Sequence, residues 1–439
     1  MDENSNARGS AEAGKARGAR TRQPARPQNV EAVVAYFESG VKQPGTPTAL
    51  GIELEHTVVR LDGSPVGYSD PHGIAWLLEQ LRGQYPVATY DGDGDLLGVA
   101  REGEAVTIEP AAQVELSAGP FRSLGEAKRV FEEFERTLAR HLEPRGMEAL
   151  TVGYHPQAKA RDLELIPKRR YRFMNLYFEG IGPFGACMMR GSASTQVSID
   201  YYSERDCLRK LRLAQVLGPL FALLCDNAPV FEGAPRTHKL VRTKIWRECD
   251  PARCGIVPGS LDAGFTWERY AEYLLDTPAI LVPCKKESCC YTERPFGEVY
   301  ASAPMTRAEV EHMASMFFND ARLKTYLEIR PADALPVPHA IAYAALVKGL
   351  LTGEAQLDEL DALFDGIGEQ EVEDAKDRLM EQGYAATVYG RPVGQLVDRL
   401  VELAGGGLAA EELAFLDPLA DLAARRVTLA DLAEMGQRD

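Results

Sequence analysis

The sequence predicts an α+β fold. Two observations carry the prediction. Stretches of alternating polar and apolar residues recur at distant places along the chain. Stretches of helical period separate them without the regular strand-helix-strand rhythm of a doubly wound sheet, and no internal repeat is present.

Taken in order, residues 1–28 hold almost no large apolar side chains and many Ala, Gly, Arg and Ser. Burial cannot offset the entropy of ordering such a segment, so it is expected to be a disordered tail. Asp2 and Glu3 weigh against reading its arginines as an organelle-targeting signal. Helical periodicity predicts helices over 29–40, 71–83, 123–143, 204–225, 266–276, 306–319 and 336–352. After 352 the chain turns acidic and Leu/Ala-rich, as in EAQLDELDALF and GQLVDRLVELA. That pattern predicts amphipathic helices, 353–439, packed on a main body of 29–352.

Composition excludes several functions. A net charge of -16 and a pI near 5.1 argue against nucleic-acid binding, which needs a concentrated basic surface. The longest apolar runs, such as AQVLGPLFALLC at 214–225, are too short and too interrupted to span a bilayer. Eight irregularly spaced cysteines make no disulfide framework, and with no signal peptide ahead of them a reducing cytoplasm is expected.

The informative feature is the composition of the alternating stretches. In GIELEH, strand geometry puts Glu53 and Glu55 on one face and Ile52 and Leu54 on the other. TIEPAAQVELS places Gln113, Glu115 and Ser117 together, with Glu109 just before the Pro-Ala-Ala turn. ASTQVSID aligns Ser194, Gln196, Ser198 and Asp200, and TYLEIRP aligns Tyr326, Glu328 and Arg330. Any one of these reads as a solvated strand face. Together they concentrate carboxylates, which repel unless protons or cations offset them. Hard dications such as Mg²⁺ take oxygen ligands, so Glu53, Glu55, Glu109, Glu115, Gln196 and Glu328 on one concave sheet would suit a multi-metal site.

Magnesium sites of this kind hold nucleotide phosphates, yet neither GxxxxGK[ST] nor a strand-borne GxGxxG occurs. Arginines must then share the work. Candidates are Arg330 and the clusters PKRRYR (167–172), MMR (188–190) and LVRTKIWR (240–247). No Ser/His/Asp or Cys/His nucleophile arrangement stands out.

The segments GIELEH, TIEPAAQVELS, PKRRYRFMNLYFE, MMRGSASTQVSID, VRTKIWRECDPARCG and RLKTYLEIRPAD resemble, in order and spacing, the motifs of plant and proteobacterial glutamate-cysteine ligases. DPARCG is similar to the actinobacterial enzyme of ergothioneine synthesis. The resemblance runs from about residue 48 to 350. It implies a glutamine-synthetase-like curved antiparallel sheet with helices outside. It also implies ATP-dependent joining of the glutamate γ-carboxylate to the amine of cysteine through a γ-glutamyl phosphate, with small-molecule partners only. By carry-over, the six oxygen-bearing residues named above are metal-facing, with Glu53 and Arg330 catalytic. Arg330, Lys168 and Arg170 face ATP, and Arg242, Trp246 and Arg190 face substrate. The chain departs from the pattern at Ala111 and Ala112, where the family has Gly-Gly, and at Ser198, where it has Asn. It departs again at Gly191, which takes the place of the family's arginine and leaves Arg190 one position early. A γ-glutamyl ligase for another amine and a silent nucleotide- or glutamate-binding protein are the rival readings.

Three features read as decoys. DGDGD at 91–95 imitates a calcium loop but lacks its glycine and is expected to be a hairpin connection. Cys249, Cys254, Cys284, Cys289 and Cys290 lack zinc spacing. His56 falls on the apolar face of its strand and reads as a core histidine.

Overall fold

The computed structural model describes residues 24–284 and 289–436. Its centre is β1, Leu50–Arg60, in a mixed helix and strand arrangement. The strands β2 (Val87–Tyr90), β3 (Leu96–Arg101), β4 (Glu104–Ile108), β5 (Val114–Phe121) and β6 (Met147–Leu150) follow. Then come β7 (Thr195–Ile199), β8 (Ala321–Leu323) and β9 (Leu327–Ile329). They form one nine-stranded sheet in the order β8-β9-β7-β1-β5-β4-β3-β2, with β6 on the second half of β1. Every pairing in it is antiparallel.

The period-two pattern sorts the two faces. Ile52, Leu54, Val114, Leu116, Val197 and Ile199 are all buried. Helices Leu124–Leu142, Glu204–Leu224 and Val337–Leu351 pack against the sheet. The last of these is apolar nearly all round because the C-terminal helices cover its far side, Val393–Gly407 most extensively.

Several expectations change. The first helix is Arg26–Glu38, with Pro27 suited to its first turn, so residues 24–28 belong to the folded body. Ala25 is buried and its N–H donates to the Ala301 carbonyl at 3.1 Å. The rest of the expected tail, 1–23, lies outside the described residues. The helix at 306–319 is Arg307–Ala314 only, because Phe318–Asn319 leaves it to pair in parallel with Cys254–Gly255. Among the described residues, the α-helices Arg169–Ile181, Val241–Arg247 and the single turn Phe296–Val299 fall outside the helices predicted from periodicity.

The DGDGD stretch is the turn between β2 and β3, where Asp91 Oδ1 accepts the N–H groups of Asp93 and Asp95, each at 2.9 Å. Cys284 and Cys290 are joined as a disulfide, which the cysteine spacing did not suggest. No helix among the described residues is long and apolar enough to cross a membrane.

Candidate active site

The register brings the polar faces together. Glu53 lies opposite Gln196, Glu55 opposite Glu115, and Glu328 opposite Ser198. A 290 Å³ cavity on this face is lined by Glu53, Glu55, Glu109, Glu115, Gln196, Arg170, Arg242, Trp246 and Arg330. Strand alternation alone therefore makes one wall acidic. Helices and the β9 edge bring the basic groups over it.

Each carboxylate is held differently. Glu55 accepts from Ser194 twice, from Oγ at 2.7 Å and from N–H at 3.0 Å. Glu115 Oε1 accepts from Thr107 at 3.0 Å and Ser117 at 2.9 Å. Glu109 sits in the turn after β4 and takes the Tyr171 hydroxyl at 3.4 Å. Gln196 donates to Ser194 Oγ at 3.2 Å and accepts from Arg330.

Burial and mutual repulsion disfavour so many charges. Burial, then the charge of Glu109, pushes the Glu55 carboxyl up to about 7. Burial and Glu53 push Glu115 well above the usual carboxylate range, and burial and Glu328 raise Glu53. Such a donor set is short of positive charge and chemically suited to a hard dication. Among the described residues, however, no three His, Cys, Asp or Glu side chains converge as a preformed metal cage. Each Mg²⁺ ion bound here would use one or two of these carboxylates and complete its shell with phosphate oxygens and water, so the set is large enough for more than one ion.

Three expected site residues lie elsewhere. Glu328 is fully buried and bonded to Arg322 at 2.6 Å, Lys324 at 2.8 Å and Arg330 at 2.9 Å, which makes it their counter-ion and not an open metal ligand. Lys168 does not line the cavity; it stands over the Tyr171 ring at 4.6 Å, its pKa lowered by burial and supported by Glu109. Arg190 turns away, donating to Asn175 and to the carbonyls of Leu163 at 3.3 Å and Arg161 at 3.4 Å. The cause is local. Cys187–Gly191 is a wide π-helical turn, and the extra residue swings Arg190 off the cavity side.

The departures acquire a structural meaning. Ala112 adopts φ 66°, the left-handed conformation that a glycine would take without strain. A Cβ at Gly191 would meet the Tyr154 ring at 2.3 Å, so the place of the family's arginine side chain is filled by tyrosine. Ser198 lines a neighbouring 510 Å³ cavity that shares Glu53 and is walled by small residues such as Gly51, Ala105 and Gly119 beside Tyr326.

Sequence reasoning assigned no site role to Ser194, Tyr171, Arg322 and Lys324, all of which line the acidic 290 Å³ cavity. The signal for the last two was present. Residues 322, 324, 326, 328 and 330 share one parity, and Arg322 lies directly opposite Glu328 across the hairpin.

Residues 49–402 match the family model described as glutamate-cysteine ligase family 2. The chain is 27% identical over 390 residues to chloroplastic glutamate-cysteine ligase B of rice (Oryza sativa), covering 87% of this chain and 78% of that one. The chloroplastic ligase of Medicago truncatula is 28% identical over 419 residues, covering 92% and 81%. In fold the chain is similar to a glutamate-cysteine ligase from Francisella tularensis in complex with AMP, with a TM-score of 0.56 at 12% identity, covering 90% and 86% of the two chains.

Proposed function

The chain belongs to glutamate-cysteine ligase family 2, and on that premise we propose that it makes γ-glutamylcysteine from ATP, L-glutamate and L-cysteine. The γ-carboxylate of glutamate attacks the γ-phosphorus of ATP and ADP leaves. The cysteine amine then attacks the acyl phosphate, releasing phosphate and a proton. The observation that carries this reading is the single cavity in which an acidic, charge-starved wall faces Arg170, Arg242 and Arg330. Phosphoryl transfer of this kind depends on positioning and charge neutralisation, not on a protein nucleophile.

The residues divide the task. Glu53, Glu55, Glu109, Glu115 and Gln196 would hold Mg²⁺, which when bound would neutralise triphosphate charge. Arg330, kept protonated by Glu328 and Glu53 against the effect of burial, and Arg170 face the transferring phosphoryl group. Arg242, beside Trp246, offers its guanidinium to a glutamate carboxylate. The neighbouring small-residue cavity gives the nucleoside room, with the Tyr326 ring at its edge. We place the reaction in the cytoplasm, and its product is one that a glutathione- or ergothioneine-forming step consumes.

The test is ADP release by the purified chain with Mg²⁺, glutamate and a panel of amines. Release requiring both glutamate and cysteine is expected, and Glu55→Gln should lower it at least about a hundredfold with the far-ultraviolet dichroism unchanged. A folded protein that releases no ADP with any amine would overturn the reading.

A further inference from the structure

Arg242 and Arg330 face the acidic cavity from different elements. Arg242 and Trp246 belong to helix Val241–Arg247. Arg330 follows β9, and its N–H donates at 2.9 Å to the carbonyl of Asp320, the residue just ahead of β8. The two guanidiniums repel, since Arg330 adds to the lowering that burial imposes on the Arg242 pKa. Their separation needs a fixed support.

That support lies behind the cavity, in helix Glu369–Gln382. Lys376 of this helix is 3% exposed; its Nζ stands 2.8 Å from Asp320 Oδ2 and donates to Glu373 Oε1 at 2.7 Å. The other oxygen of Glu373 is 3.1 Å from Arg247 Nε, and Arg247 also donates to Asp377 at 3.0 Å, one turn further along. One row of alternating charges, Arg247, Glu373, Lys376 and Asp320, thus runs from the neighbour of Trp246 to the residue that holds the Arg330 backbone. A main-chain bond from Lys239 N–H to the Met380 carbonyl, 2.9 Å, ties the approach to helix Val241–Arg247 to the same element.

Lys376 is the centre of the row. Burial opposes its charge, yet Asp320 and Glu373 outweigh burial and raise its pKa. Such a buried ion pair is a weak source of stability, because desolvation offsets its attraction, and fixed geometry is the better account of it. Lys376 also shares the wall of one small cavity with Arg242, Trp246, Asp320 and Arg330, so the cation sits directly behind both arginines.

We propose, resting on the ligase reading of the acidic cavity, that Lys376 is a positioning residue of the reaction. Acting through Asp320 on one side and through Glu373 and Arg247 on the other, it sets the distance between Arg330, at the transferring phosphoryl group, and Arg242, at the glutamate carboxylate. Each arginine has a further anchor of its own, the Ala332 carbonyl at 2.7 Å for Arg242 and Glu328 at 2.9 Å for Arg330. Cutting the row therefore leaves both able to bind and loosens only their spacing, and a misplacement of about 1 Å between reacting groups costs about a hundredfold in rate.

Lys376→Met, Arg247→Met and the double variant test this, with turnover expressed per Mg-ATP site counted by titration calorimetry. In Lys376→Met, kcat should fall at least about tenfold while KM for ATP and for glutamate stays within about threefold of wild type. The double variant should be no slower than the more severe single one, because both cut the same row. The geometry is read separately from turnover by 5-fluorotryptophan labelling of the chain, which has three tryptophans. Trp246 packs on Phe318 at 5.6 Å between ring centres, two residues before Asp320, and Trp246→Phe identifies its fluorine resonance. Lys376→Met should move that resonance and leave those of Trp76 and Trp267 in place. Arg247→Met, whose side chain lies partly in solvent, carries the same test from the other end should Lys376→Met not fold. A shifted Trp246 resonance in a chain that releases no ADP upholds the positioning and overturns the ligase reading alone. An unmoved Trp246 resonance, a loss that appears in KM instead of kcat, or additive losses in the double variant overturns the role of Lys376.

Discussion

At the residue scale, Asp333 decides how Arg242 is presented. Arg242 is 4% exposed; its Nη1 donates to the Ala332 carbonyl at 2.7 Å and lies 3.7 Å from Asp333 Oδ1. Asp333 Oδ2 accepts from Asn227 N–H at 2.7 Å, and a Cβ at Gly153 would come within 2.3 Å of the same carboxylate. Burial pushes the Asp333 carboxyl up to about 7, against the opposing pull of Arg242 and with the help of Asp226. Burial likewise lowers the pKa of Arg242. Both partners are thus shifted toward their neutral forms, so the pair costs the fold more than it returns, and a role in holding the guanidinium explains it better. The linkage has a definite sign. A carboxyl raised above its unfolded value contributes stability below about pH 4, and that stability is lost as pH rises to about 7. Asp333→Asn, permanently neutral, should match wild type at pH 4 and be more stable at pH 8 by a few kcal/mol in urea titrations. Its KM for glutamate should rise about tenfold, since Arg242 loses its anchor. A less stable variant at pH 8 with an unchanged KM would contradict this account.

At the scale of the element, the β8–β9 hairpin works as a charge clamp. Arg322, Lys324 and Arg330 surround Glu328, and although burial opposes ionisation they hold its carboxyl far below the usual range. Removing the anion leaves three cations short of a partner at the cavity wall, a change that typically costs about 3–5 kcal/mol. Glu328→Gln should lose roughly that much in urea denaturation, and equally with and without Mg-ATP. A loss seen only with Mg-ATP present would instead make Glu328 a metal ligand.

This hairpin also shows what the sequence could convey. Alternation is a property of neighbouring residues, so β1, β5, β7 and β9 and their acidic face were readable directly. Shared parity marks Arg322, Lys324 and Glu328 as candidates for one face, but that Arg322 lies directly opposite Glu328 depends on a hairpin pairing that parity does not fix. The π-turn that displaces Arg190 adds one residue to a helical turn, and helical periodicity carries no mark of it. Ser194 was visible in ASTQVSID, but its bonds to Glu55 arise only once β7 lies beside β1.

At the scale of the molecule, the question is whether the C-terminal helices form a separate unit. Buried charge argues for one cooperative body. Arg236, its side chain 3% exposed, ties Asp226 at 2.5 Å in the body to Asp431 at 2.9 Å and Glu434 at 2.5 Å in the last helix. Lys376 of helix Glu369–Gln382 reaches Asp320 at 2.8 Å, and Asp320 shares with Arg242 and Trp246 the wall of a small neighbouring cavity. Glu412 bonds Lys348 at 2.6 Å and the Leu124 N–H at 3.1 Å. Helices Val337–Leu351 and Val393–Gly407 approach so closely that a Cβ at Gly349 would lie 2.3 Å from the Ala404 carbonyl oxygen. A methyl group there forces the two helices apart, at about 1–3 kcal/mol. If the region were an independent domain, Gly349→Ala would move one of two calorimetric transitions. With the buried ion pairs spanning the junction, wild type should unfold in a single transition, and the variant should shift that whole transition down by roughly 1–3 °C without splitting it. A second resolved peak in either protein would show that the C-terminal helices unfold on their own.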